Sequence, residues 1–304
     1  MSLFVGMLLC FLFLGTMAWG ARDLTFFVVS DTHYGTSTNG DKTIPLLVEK
    51  MNQLPGKEYP AKIGGAVGRP RGVIHIGDIT NAGKKPQWDM FVRDYGLVGG
   101  DGRLTWPVYE TFGNHDGGPK LPVRDGIRER NRKRVGLTAV SDNGLHYSWD
   151  WDGVHFVNCG ISPGTTINPY DPEHSIEFLG KDLKQHVGSS GRPVILYHHF
   201  GFDKDHSLRW WSDAWRTNYF DLIKSYNVIG ILHGHAHKPF IYQWNGIDIY
   251  HPPHFRGDPK KNEPVTHGFF VFHITDTELT VAERKLDDTW GMTARKSLQA
   301  TATN

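Results

Sequence analysis

Five short apolar runs rich in β-branched and aromatic residues recur along the chain, and each gives way to polar residues that include Asp or His. "LTFFVV" (24–29) leads into "SDTHYG", "GVIHI" (72–76) into "GDITNAG", and "PVYETF" (107–112) into "GNHD". "RPVILY" (192–197) leads into "HHFGF", and "NVIGIL" (227–232) into "HGHAH". Apolar runs of this length predict buried strands. Polar residues gathered at the C-terminal ends of strands stand where open α/β sheets place their sites.

Between the runs, 41–54, 86–96, a basic stretch at 122–135, 172–187 and 212–226 predict helices; several have Pro in a first turn or Ser or Asp just before it. "HYSWDWDGVHFVNCG" predicts a hairpin turning at Asp152 and Gly153, and "FIYQWNGIDIYH" another at Asn245 and Gly246. A final pair, "GFFVFHI" and "LTVAERKL", flanks a "TDTE" turn. Strand–helix alternation followed by hairpins predicts an α/β fold with two packed β-sheets and helices outside. There is no internal repeat, low-complexity tract or long linker, so residues 21–304 are expected to form a single domain.

The polar strand ends read Asp31-x-His33, Gly77-Asp78, Gly113-Asn114-His115-Asp116, His198-His199 and Gly234-His235-x-His237. Each alone is an ordinary turn or helix cap. Five in a row, each after an apolar run, point to a metal centre. In an extended G-H-x-H, alternate residues would project the same way and reach a shared site. Two divalent ions about 3.5–4 Å apart can clamp the attacking and leaving oxygens of an in-line displacement at phosphorus, provided a carboxylate bridges them. Nitrogen and oxygen donors without thiolate suit Mn, Fe or Zn and disfavour an all-oxygen Ca site.

Taken together, "DTH", "GD", "GNHD", "HH" and "GHAH" resemble, in order, the five blocks of the calcineurin-like metallophosphoesterase superfamily, over about residues 24–275. The resemblance implies a four-layer αββα sandwich of two mixed β-sheets with a dinuclear site at one edge. It implies that Asp31, His33 and His237 hold one metal, that Asn114, His198 and His235 hold the other, and that Asp78 bridges them. His198 is taken as the ligand of its pair because the next residue of that block varies in the family; His199 is the alternative, otherwise assigned to substrate. His115 is the expected proton donor or phosphoryl clamp, with Asp116 orienting its ring. A metal-bridging hydroxide would attack phosphorus in line, and both phosphomonoesters and phosphodiesters remain open as substrates. Asn81 stands three residues after Asp78, where purple acid phosphatases carry a tyrosine ligand, so a tyrosinate site is not expected. The chain after His237 is also too short for the large C-terminal domain of the family's nucleotidases.

Around this core, Arg209, Trp210, Trp211 and Trp215 follow the His pair, and Arg209 and Trp211 are the candidate contacts to the organic part of a phosphate ester, small or lipid-like. His251, His254 and Arg256 offer a second rim segment, for which a loop tied by His hydrogen bonds is the competing reading. Residues 123–136 hold six basic against two acidic side chains and could steer an anion, or form a solvated helix face.

Bulk charge excludes one class of function. Lys plus Arg number 33 against 32 Asp plus Glu in 304 residues, so a net charge of +1 gives no footprint for bulk nucleic-acid binding. No charged side chain precedes Arg22, and residues 1–20 end in Ala18-Trp19-Gly20, the pattern of a signal peptide on an exported protein. The leader lacks the usual basic start and is nearly long enough to span a bilayer, so membrane attachment is expected only if it stays uncleaved. Of two cysteines, Cys10 lies in the leader, and Cys159, in an apolar run, reads as a buried hydrophobe. The alternative to an enzyme is a secreted binding or scaffold protein of the same fold, stabilised by its metals and without turnover.

Overall fold

A computed structural model describes residues 21–36, 40–118, 121–165, 170–203, 207–254 and 267–298. The leader and Arg256 lie outside these residues. Strands β1 (Asp23–Val29), β2 (Pro70–Ile76) and β3 (Val108–Thr111) run parallel, joined through α1 (Gly40–Gln53) and α2 (Lys85–Tyr95). Antiparallel β11 (Gly268–Thr275), β12 (Glu278–Lys285) and β13 (Trp290–Ser297) extend them into a six-stranded sheet ordered β13-β12-β11-β1-β2-β3.

The second sheet has seven strands in the order β4-β5-β6-β7-β8-β10-β9. These are β4 (Leu137–Val140), β5 (Tyr147–Trp151), β6 (Val154–Asn158), β7 (Val194–Tyr197), β8 (Val228–Leu232), β9 (Phe240–Trp244) and β10 (Ile247–His251). Helices α3 (Pro122–Lys133), α4 (Ser175–Asp182), which runs on into a π-helical turn at Leu183–Val187, and α5 (Asp213–Ile223) complete the connections.

Alternation along the strands sorts the core into two faces. Phe26, Val28, Ile74 and Ile76 meet Trp149, Phe156, Ile195 and Tyr197 between the sheets, with Phe26 edge-on to Phe156 at 5.3 Å. Phe27, Val29, Val73, Val194 and Leu196 join the helix side chains Ile44, Leu47, Phe91, Leu179 and Tyr219 outside. Each large apolar side chain so enclosed contributes about 1.5–3 kcal/mol. The layers are therefore helix, sheet, sheet, helix, as expected. Both predicted hairpin turns carry positive φ at their two central residues, Asp152 and Gly153 (46° and 79°) and Asn245 and Gly246 (48° and 81°).

Two parts of the sequence reading need correction. β4 and β13, absent from it, form an outer strand of each sheet. The basic stretch, for its part, is only partly a solvated face: Arg132 and Lys133 are exposed, but three of its arginines are not. Arg130 Nε donates to Glu110 at 2.9 Å, Arg134 Nη2 to the same carboxylate at 2.7 Å, and Arg124 Nη1 to Glu173 at 2.8 Å. All three arginines are buried, and their charges are consumed in joining α3 to β3 and to the loop before α4.

Candidate metal centre

Beyond the last strand residues, the parallel pairing of β1 and β2 continues into their loops. Asp31 N–H donates to the Gly77 carbonyl at 3.1 Å, His33 N–H to Asp78 at 3.0 Å and Tyr34 N–H to Ile79 at 2.8 Å. On the other sheet, Gly234 N–H donates to the His199 carbonyl at 3.0 Å. The polar strand ends are thus zipped together in pairs at one edge of the sandwich.

The backbone there is strained. Ten described non-glycine residues have positive φ, and five of them are Asp31 (54°), His33 (45°), Asp78 (47°), His235 (75°) and His237 (55°). Each such conformation costs on the order of 1–3 kcal/mol and persists only where its surroundings impose it. Small residues make room beside them. A Cβ on Gly113 would lie 2.2 Å from Asp78 Oδ1, and one on Gly234 would lie 2.2 Å from Ser30 Oγ and 2.8 Å from Asp31 Oδ2. The glycines of G-N-H-D and G-H-x-H therefore clear space for two carboxylates.

Two groups of ligand-type atoms result. Asp31, His33, Asp78 and His237 bring one donor atom each within 4.8 Å of one another, and so do Asp78, His199 and His235. In the first, His33 Nε2 and His237 Nε2 face each other at 3.1 Å, and Asp31 Oδ1 lies 3.3 Å from His237 Nε2. In the second, His199 Nε2 lies 3.2 Å from Asn114 Oδ1 and 3.3 Å from Asp78 Oδ2. Asp78 belongs to both. Its Oδ1 accepts the His115 N–H at 2.8 Å, while Oδ2 is buried and has no hydrogen-bond partner among the described residues, lying 3.3 Å from His199 Nε2 and 3.7 Å from His33 Nε2. An orphaned buried carboxylate oxygen between two groups of imidazoles fits a bridge between two cations, and the donor set of nitrogen and oxygen fits a pair of divalent transition metals.

Electrostatics agree with that fit. Burial alone would raise Asp31, yet the hydrogen bond to His237 and the surrounding imidazoles hold its carboxyl well below the usual range. Asp78 is lowered in the same way, burial being outweighed chiefly by His199. Burial pushes His33 well below its ordinary value, so its ring is neutral and offers a lone pair. Burial would lower His199 too, but the Asp78 carboxylate outweighs it and pushes the ring up to about 9. A cation bound there would take over the charge that this proton now supplies.

Four predicted roles fall differently. His198 is not in either group: its Nδ1 is 2.6 Å from the Phe200 carbonyl and its ring sits among Trp211, Tyr219 and Phe202, buried on the helix side of β7. His199 stands in its place, with Nδ1 2.8 Å from the Ile76 carbonyl, a contact that turns Nε2 toward Asp78. Trp211, expected to meet substrate, is fully buried and donates its Nε1–H to the Pro163 carbonyl at 3.1 Å. Asp116 does not orient His115. It accepts from Thr80 N–H (2.7 Å), Thr80 Oγ1 (2.9 Å), Ile79 N–H (3.1 Å) and Gly113 N–H (2.8 Å), locking the G-D loop to the G-N-H-D loop. Burial and the nearby Asp78 push Asp116 up to about 6 against these four bonds. Nor is G-H-x-H extended, because positive φ at both histidines turns His235 toward one group and His237 toward the other.

His115 is half-buried at the mouth, its ring 4.7 Å from that of His33, with Nδ1 2.9 Å from the Asn81 carbonyl. Sequence reasoning noted Asn81 only for its side chain, and a backbone acceptor leaves no mark in residue type. His254, buried, stacks on His237 at 5.0 Å and 8°. Trp210, rather than Trp211, reaches the site, with its ring 5.3 Å from His235. Arg209 is exposed beside it, the guanidinium 4.2 Å over the Trp210 ring.

No curated protein matches this sequence. A dimetal phosphatase from Danio rerio superposes with a TM-score of 0.60 at 12% identity, covering 90% of this chain and 98% of that one. GAP50, described as the anchor in the inner membrane complex of Plasmodium, superposes with a TM-score of 0.58 at 13% identity, over 92% of this chain and 90% of its own. At these identities the likeness is one of fold. The family profile for calcineurin-like phosphoesterase matches residues 24–239, a span that takes in all five strand-end motifs, and the chain belongs to that family.

Proposed function

We propose that this protein is an exported, two-metal hydrolase of phosphate esters. The single observation that carries the reading is Asp78, whose orphaned Oδ2 stands between two groups of buried ligand-type side chains at the sheet edge. Asp31, His33 and His237 would hold one ion, Asn114, His199 and His235 the other, and Asp78 both. Divalent ions held there would polarise phosphoryl oxygens and lower the pKa of bound water. The chain's own work is to keep those ligands in place and to manage a proton. With Nδ1 donating to Asn81, His115 has a fixed tautomer and would exchange a proton with the leaving group through Nε2. Export is supported by the apolar leader alone.

A second reading, a metal-stabilised scaffold without turnover, is favoured by one observation: GAP50, described as an anchor, shares the fold. The deciding experiment uses protein from residue 21 onward with Mn or Zn, on nitrophenyl phosphate and bis-nitrophenyl phosphate in parallel. Turnover is expected, and the preferred ester assigns monoesterase or diesterase. His115→Ala should lose about a hundredfold on alkyl esters and far less on nitrophenyl esters, which need no proton on departure. Equal losses would remove the proton-transfer role, and silence on both esters with two ions bound would favour the scaffold.

A further inference from the structure

Three rings line the side of the second ligand group. Phe200, two positions past His198, stacks on Trp210 at 5.6 Å and 13°, and both meet the His235 ring edge-on, at 4.9 and 5.3 Å. Tyr170 closes on Trp210 at 5.5 Å. With Phe200 on one side of Trp210, the Arg209 guanidinium lies against its ring at 4.2 Å. A guanidinium held against an indole is a planar cation that carries its N–H donors in a fixed fork.

Arg209 also differs from the buried arginines of the basic stretch. Arg124, Arg130 and Arg134 are buried and each spends its charge on a carboxylate, Glu173 or Glu110. Arg209 is exposed, and among the described residues no carboxylate pairs with it. The contact with Trp210 holds this charge beside a ring that itself meets His235, and so keeps a cation at hand for a ligand of the second group. The chemistry of that ligand follows from the donor: a planar, doubly donating cation suits an oxyanion with two or more acceptor oxygens, above all phosphate.

We infer that Arg209, held on Trp210, receives a second phosphate group of the substrate, so that the natural ester carries one phosphate beyond the one bound between the ligand groups. This inference rests on the phosphoesterase reading, and binding separates the two. Calorimetric titration of the metal-loaded protein would compare thymidine 3′,5′-bisphosphate with thymidine 5′-monophosphate. The nitrophenyl 5′-esters of both, with and without the 3′-phosphate, would be compared in turnover.

The expected result is a preference for the doubly phosphorylated compound of about tenfold in Kd and in kcat/KM, the latter through KM, the worth of one charge-assisted contact. In Arg209→Ala the ratio of the two compounds should fall to near one in both assays, and Arg209→Lys should restore part of it. A purely structural role for Arg209 would lower both compounds alike and leave the ratio standing, which overturns the inference, as does a wild-type ratio near one. A binding preference lost in Arg209→Ala, with no turnover of either ester, would uphold the site and sink the hydrolase.

Discussion

His198 and His199 are neighbours in the chain and face opposite sides of a sheet. Along β7, Val194 and Leu196 point to the helices while Ile195 and Tyr197 point between the sheets. His198 continues the first series and His199 the second, so only His199 comes out beside Asp78. His199→Ala should remove one of two bound ions by elemental analysis and cut turnover at least a hundredfold, more than is usual for losing a residue that merely supports a ligand. His198→Ala should keep both ions and instead lower stability by about 2–4 kcal/mol, as expected for emptying a packed aromatic pocket. The reverse pattern would restore His198 as the ligand. The sequence displayed the pair plainly but hid its parity: "PVILY" is apolar throughout, as strands covered on both faces are, so no polar alternation marks which side is which. Asp31, His33, Asp78, Asn114, His235 and His237 were legible because each is the polar residue type that an apolar strand does not need. The task of Asp116 was not, because its partners are backbone N–H groups of Ile79, Thr80 and Gly113.

At the scale of elements, the covered strands and both tight hairpins were readable, while β4 and β13 were not. β13 reads "WGMTARKS", with a glycine and two cations in eight residues, which erases the period-two pattern; such charges guard an outer strand against pairing with another chain. One polar joint, centred on the buried ring of His155, ties elements of the second sheet together. His155 on β6 has its ring nitrogens 2.7 Å from Asp150 on β5 and 2.7 Å from Asp182 at the end of α4, and Arg192 reaches Asp150 at 2.6 Å. Burial alone would lower this imidazole, but the hydrogen bonds and charges of the two carboxylates raise it above its ordinary 6.5. A raised folded-state value means that the joint stabilises fully below the unfolded value and that this share is lost as pH rises through the folded one. The gap in melting temperature between the wild type and His155→Gln should therefore be widest near about pH 6 and narrow steadily toward alkaline pH. A gap that widens toward alkaline pH would show that the ring is neutral when folded.

For the molecule as a whole, the site is a seam. Asp31, His33, Asp78 and Asn114 come from the six-stranded sheet, whereas His199, His235 and His237 come from the seven-stranded one. Ions bound there would cross-link the two sheets at one edge, so their removal should loosen the sandwich as well as stop catalysis. Chelation is expected to abolish turnover and lower the melting temperature by several degrees, the effect of losing a ligand present at about a hundredfold over its Kd, roughly 2.7 kcal/mol. Asp78→Ala protein should melt at nearly the same temperature with and without chelator. A chelator shift undiminished in that variant would mean that the stabilising ions sit elsewhere.

The left-handed backbone at residues 31, 33, 78, 235 and 237 sets what the site costs the fold. Glycine would relax all five positions, and replacement of a strained non-glycine residue by one suited to its dihedrals is among the simplest ways to stabilise a protein. Without ions, what would oppose glycine there is local bonding, such as the His115 N–H to Asp78 Oδ1 and the His235 N–H to Asp31. Carboxylates and imidazoles in five such unfavourable places thus set a standing cost on the empty site, one that ions bound between them would offset.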